Sequence, residues 1–317
     1  MTPPIRGTWF EFQHHSKVEG TPWNPACARF TAADWKAKVE EMAAAGMEYV
    51  VLMAVALDYR TFFPTALLPR WELPCPDPLE ALLWAADGCG VKVFVGNGFW
   101  GQWDSPAILA DQEARQRRLQ AMDELAAGYG HHPSFYGWYW PNEAAIQGGF
   151  GAEFMEYARE CSRHARRALP RAKTLIAPYG TNHVRADDAF ARQLDALEVD
   201  IVAYQDEVGV RKSTASETPA YFEALRRVHD RVPQVALWAD VEVFEFAAEV
   251  YRSALLPADF GRVARQLEAV SPFVDTVLIY QYLGLMNAPQ SRAFAGHETS
   301  TRLYSDYAAW RQRQAGR

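Results

Sequence analysis

Short apolar runs and stretches of helical period alternate along the chain from end to end. The runs fall at 7–12 (GTWFEF), 47–58 (MEYVVLMAVALD), 91–99 (VKVFVGNGF) and 135–143 (FYGWYWPNE), then at 173–180 (KTLIAPYG), 200–210 (DIVAYQDEVGV), 234–244 (QVALWADVEVF) and 275–283 (DTVLIYQYL). Continuous runs rich in Val and Ile, without clean alternation, mark parallel strands covered on both faces. Between them, Trp35, Val39 and Met42 sit at i, i+4, i+7, and Phe260, Val263 and Leu267 at i, i+3, i+7, each set on one helical face. The start signals agree. Thr31 to Asp34 resembles a capping box, and Ser105-Pro106 and Thr218-Pro219 pair a cap with proline at the first helical position. Gly46 and Gly90 stand where helices should stop.

The pattern predicts helices over 31–46, 77–90, 105–129, 150–169, 186–198, 218–231, 258–271 and 299–314. Eight strands each followed by a helix define an α/β fold, a single (β/α)8 TIM barrel over residues 1–317. A doubly wound open sheet would show a Gly-rich phosphate turn after an early strand, and neither WFEFQHHS nor DYRTFFPT offers one.

Composition narrows the function. Of 317 residues, 49% are hydrophobic, enough for a sizeable core. Lys plus Arg is 32 against 39 for Asp plus Glu, a net charge of −7, which disfavours a nucleic-acid partner. The basic stretch RECSRHARRALPR (159–171) fits the solvated end of a helix. Four scattered cysteines lack zinc spacing, and no cofactor motif is visible. The apolar runs are too short to span a membrane, and MTPPIRGTWF lacks a secretion signal, so the cytoplasm is the default expectation. A trimmed signal would leave the same sequence.

In such barrels the active site lies at the C-terminal ends of the strands. Those ends carry Glu11, Asp58, Asn97, Asn142 and Glu143 in the first half of the chain, and Asp206, Glu207, Asp240, Glu242 and Gln281 in the second. Carboxylates beside apolar runs are costly unless paired or used. Trp100, Trp103, Trp140 and Trp238 lie in the same strands or the loops leaving them, and flat rings stack on the apolar faces of sugars. Along strand seven, Trp238, Asp240 and Glu242 share one side and Val235, Leu237 and Val241 the other, so Glu242 should point into the mouth. Two carboxylates on roughly opposite strands suit glycosidic bond cleavage of an oligo- or polysaccharide.

The Asn-Glu pair ending strand four and the Glu ending strand seven resemble the retaining glycoside hydrolases of clan A. PNEAA, AYQDEVGV, LWADVEVF and YQYLGLMNA together look like a bacterial group of glycoside-hydrolase-like barrels catalogued as a domain of unknown function. The resemblance implies Glu143 as acid/base, Glu242 as nucleophile, Asn142 as holder of a sugar hydroxyl, and Tyr204 as hydrogen-bond donor to the nucleophile. It departs at strand eight, which lacks the clan's tryptophan, and at the extra acids Asp206 and Glu207, which leave room for Asp206 or Asp240 in the nucleophile's place. Two other readings compete. One is a barrel that binds carbohydrate without catalysis. The other is a metal-dependent hydrolase or sugar isomerase, for which His14 and His15 are adjacent and ill-placed to share one metal, and only His183 stands at a strand end.

Overall fold

The computed structural model describes residues 2–105 and 107–315. Eight parallel strands close into a barrel: β1 (Gly7–Phe10), β2 (Tyr49–Leu52), β3 (Lys92–Gly96), β4 (Phe135–Tyr139), β5 (Lys173–Ile176), β6 (Ile201–Gln205), β7 (Ala236–Glu242) and β8 (Thr276–Tyr280). β8 closes on β1 with Leu278 beside Gly7 and Ile279 beside Thr8. Helices follow the strands in turn: α1 (Ala32–Ala44), α2 (Pro78–Cys89), α3 (Gln112–Tyr129), α4 (Ala152–Ala168), α5 (Asp188–Ala196), α6 (Thr218–His229), α7 (Phe260–Val270) and α8 (Ser300–Ala315). The expected single barrel is the observed one.

The local chemistry explains the elements. Asp34 accepts from the backbone N–H of Thr31 at 2.9 Å and from its hydroxyl at 2.6 Å, at the start where the capping box was expected and is found. Asp77 caps α2 by accepting from the Glu80 N–H, and Gly90 ends it in the left-handed region at φ 68°. Strand cores such as YVVL and IVAYQ are buried almost throughout, because barrel packing covers one face and helices the other. The third helix departs from expectation. It begins at Gln112, capped by Asp111 Oδ1 accepting from the N–H groups of Glu113 and Ala114 at 2.9 and 3.0 Å. Residues 107–110 form turns, and Pro106 lies outside the described residues. A side chain that can cap at 111 competes with the proline signal upstream.

Two short hairpins extend the strand ends: Ala56–Leu57 with Arg60–Thr61, and Phe244–Phe246 with Leu255–Pro257. The second continues β7 into the wall of the mouth. At the C-terminal side, buried Lys38 donates to Glu41, Asn287 and Ser291 at 3.0, 2.8 and 3.2 Å, tying the loop after β8 to α1. No helix among the described residues is long and apolar enough to cross a membrane.

Candidate active site

The mouth holds two adjoining lobes, of about 410 and 340 Å³, which share His15, Met53, Trp103, Glu143 and Tyr179. The larger lobe is walled by Glu207, Lys212, Asp240 and Glu242, with Tyr251 and Tyr280 as aromatic sides. The smaller is walled by Phe99, Ile108, Leu109 and Asn142. A larger open groove of about 780 Å³ lies outside the barrel, between the loop after β6 and helices α6 and α7. That groove has no aromatic wall, and the polar, aromatic-walled cavity is the one at the strand C-termini.

Glu143 stands where the lobes meet. Gln205 Nε2 donates to its Oε2 at 2.9 Å and the Tyr139 hydroxyl to its Oε1 at 3.3 Å. The side chain is exposed to water through the mouth, while protein packs closely around its other sides. That crowding desolvates the carboxyl and pushes it up to about 7; Glu207's charge adds, and the two hydrogen bonds and Lys212 oppose. Apolar packing or the charge of Glu242 would serve the acid/base role that the resemblance implies; packing leads here, and one neighbouring charge adds to it. Glu207 is the neighbour that does so.

Glu242 ends β7 with its side chain in the larger lobe and 4% exposed. The Val210 N–H donates to its Oε2 at 2.9 Å. Gly209 makes this contact feasible, since a Cβ there would meet Phe244 atoms at 2.9 Å and Glu242 Cβ at 3.0 Å. Burial, then the charge of Asp206, push the Glu242 carboxyl up, whereas the nucleophile role implied by the resemblance needs it ionised. Asp206 Oδ1 accepts from the N–H of Glu242 at 3.1 Å, and Oδ2 accepts from Gln266 on α7 at 2.7 Å. Burial pushes Asp206 up to about 6. It therefore sits behind the lobe and supports β7 from the helical side.

Several sequence-level candidates lie elsewhere. Tyr204 points outward: His229 Nδ1 donates to Val235 O at 2.9 Å, so its Nε2 accepts from the Tyr204 hydroxyl at 3.1 Å. It makes no bond to Glu242. Gln205, its neighbour in a strand that alternates sides, faces the mouth instead. Parity also removes Trp140, which follows inward Tyr139 and donates to Ser162 on α4. Asn97 turns into the shell against Cys161 and the Tyr157 hydroxyl, and Trp100 is buried, donating to Asn97 O at 2.6 Å. Trp238 is inside the barrel but below the mouth, packed on Tyr49 at 4.9 Å and Phe94 at 5.9 Å between ring centroids.

Asp58 lies at the surface near Lys17, at 3.6 Å. Glu11 and Gln281 are buried and line neither lobe: Gln281 Nε2, Trp23 Nε1 and His14 Nδ1 all donate to Glu11 Oε1, at 2.7, 2.9 and 2.8 Å. Asn142 does reach the smaller lobe, its amide nitrogen donating to Tyr157 at 3.3 Å and its carbonyl oxygen unpaired among the described residues.

His14 and His15 bring ring nitrogens together with Glu11, all within 4.8 Å, so adjacency does not keep them apart as expected. Burial pulls His14 down, but the charge and hydrogen bond of Glu11 outweigh it and leave it raised to about 9. A protonated His14 between Glu11 and Glu19 accounts for the arrangement as an ion pair. His183 is exposed and does not line the mouth.

Among the mouth residues missed in the sequence are Tyr139, Gln205, Tyr251 and Tyr280. Alternation along each strand was a partial signal, but what puts Gln205 on the inner side is its register beside Asp240, which only the folded barrel fixes.

The chain belongs to the family described as Domain of unknown function (DUF4434), whose model matches residues 5–293. The motif resemblance to a glycoside-hydrolase-like barrel family of that kind is thus borne out. Among curated proteins none matches. Its fold is similar to that of a "putative alpha-L-fucosidase" of Bacteroides thetaiotaomicron, with a TM-score of 0.78 and 18% identity over 98% of this chain and 93% of that one. A beta-galactosidase of Marinomonas ef1 follows at TM-score 0.63 and 12% identity, covering 98% of this chain and 60% of that one. A GH2 beta-galacturonidase of Eisenbergiella tayi has TM-score 0.59 and 14% identity over 97% of this chain and 51% of that one. At these identities the likeness is one of fold.

Proposed function

We propose that the protein is a retaining glycoside hydrolase with Glu143 as acid/base and Glu242 as nucleophile. The observation that carries this reading is the pair itself: carboxyls from β4 and β7 line one cavity, and Glu143 is held near 7, where it can give and take a proton at neutral pH. Glu143 protonates the glycosidic oxygen as that bond to the anomeric carbon breaks. Ionised Glu242 forms a bond to the same carbon, giving a glycosyl-enzyme ester. Water then attacks that carbon, its proton passes to Glu143, and the ester bond breaks to free the sugar and Glu242. Gln205 and Tyr139 fix the Glu143 carboxyl throughout. Glu143 borders both lobes while Glu242 borders only the larger. The larger lobe therefore takes the sugar on the non-reducing side of the cleaved bond, the glycone. The smaller takes the leaving group.

Glycosidase-like neighbours support a carbohydrate substrate through fold analogy, and the site supports it through chemistry. The test is a panel of glycosides and glycans with product analysis. Release of sugar by the wild type, abolished in Glu242→Ala, is the expected result. Binding of sugars without any cleavage would instead favour the non-catalytic carbohydrate-binding barrel.

A further inference from the structure

The larger lobe has an excess of acid that the hydrolytic roles do not absorb. Its walls carry Glu19, Glu143, Glu207, Asp240 and Glu242 against one permanent cation, Lys212. Burial pushes the one histidine, His15, down to about 3, so it stays neutral. Four of the five acids have partners. Glu19 accepts from His14 Nε2 at 3.3 Å. Glu207 accepts from the N–H groups of Gly180 and Thr181, both at 2.9 Å, and lies 3.7 Å from the Lys212 ammonium. Glu143 and Glu242 hold the hydrogen bonds described above. Asp240 is left over. It is 2% exposed, its Oδ1 is buried with no partner among the described residues, and Glu143, Asp206 and Glu242 all press negative charge on it. A buried carboxylate without a donor is costly enough to call for an explanation.

Resting on the hydrolase reading of the mouth, we propose that the glycone carries a protonated amine, an unacetylated amino sugar whose ammonium pairs with Asp240. A hydroxyl would satisfy one oxygen but leave the excess charge beside Glu242, whereas an ammonium satisfies both the bond and the charge. An acidic sugar meets the wrong field, since Lys212 is already drawn to Glu207. The aromatic wall suits a cation: the Lys212 ammonium itself lies 5.0 Å from the Tyr179 ring centre and 5.7 Å from that of Tyr251. A metal ion is a poorer fit, because among the described residues only Glu11, His14 and His15 have ligand spacing, and Asp240 is not among them.

The test is calorimetric binding, which needs no turnover. Glucosamine, galactosamine and mannosamine are titrated beside their N-acetyl forms, neutral parents and the corresponding uronates. At least one amine should bind about ten-fold or more tighter than its neutral parent and its N-acetyl form, with uronates weakest. Asp240→Asn should erase that preference. Equal binding of amine and parent, tighter uronate binding, or no binding by any of them overturns the proposal. Those results leave the hydrolase reading standing if glycosides are cleaved. An amine preference without cleavage of any glycoside would do the reverse.

Discussion

Replacing Glu143 with Gln should stabilise the fold at pH 8 and not at pH 5. Glu143 is raised to about 7 in the folded chain against an ordinary value of 4.5. Folding therefore tightens its hold on a proton, so its contribution is fully present below pH 4.5 and is lost as pH rises through 7. At about 1.4 kcal/mol per pKa unit, the gap corresponds to about 3 kcal/mol. Water in the open mouth solvates the ionised group, which brings the figure down to about 1–2 kcal/mol. The amide cannot ionise and escapes this loss. It does lose one of the bonds from Gln205 and Tyr139, at about 1 kcal/mol, but that cost arises at both pH values and cancels in the comparison. For a chain of this length the net effect is about 2 °C in Tm, read as the pH 8 gain minus the pH 5 gain in thermal unfolding followed by circular dichroism. An equal effect at both pH values, or a larger gain at pH 5, would refute the raised carboxyl and with it the acid role.

Other outcomes follow from the same geometry. Glu143→Ala should cost about 10²–10⁴-fold on glycosides with poor leaving groups and far less on dinitrophenyl glycosides, which depart without a proton, as steady-state kinetics would show. The pH–rate profile should be a bell whose acid limb lies above the usual carboxylate range, because burial and Asp206 delay the ionisation of Glu242, and whose alkaline limb falls as Glu143 loses its proton around 7. Gln205→Leu removes a donor that favours the charged form of Glu143, so the alkaline limb should move to higher pH. Prolonged chelation should leave turnover unchanged, because Glu11 and His14 act as an ion pair; a loss restored by zinc would reassign them.

Much of the barrel was legible because period and caps agree at several elements: the Thr31–Asp34 and Asp77–Glu80 starts and the Gly90 stop all lie where the apolar pattern changes. The acids at the ends of β4 and β7 were legible for a related reason, since an isolated carboxyl in an apolar run demands a use. The inward set was harder to read. Tyr204 and Gln205, or Tyr139 and Trp140, differ only in parity, and one step of the chain separates mouth from shell. The register beside Asp240 that sets this parity is a tertiary fact. Past β6, Asp206 turns back to Gln266 while Glu207, at φ 54°, reaches the N–H groups of Gly180 and Thr181. That choice depends on loops joined only in the folded chain. Trp238 has the right parity but lies too deep, and depth along the barrel axis is set by strand stagger.

The most direct test of the central claim is mass spectrometry after incubation with an activated 2-deoxy-2-fluoro glycoside of whichever sugar is cleaved. The account predicts one glycosyl adduct, on the peptide bearing Glu242 and absent in Glu242→Gln, with the natural product released in the starting anomeric configuration. An adduct on Asp206, Glu207 or Asp240, or no adduct with an inverted product, would contradict it.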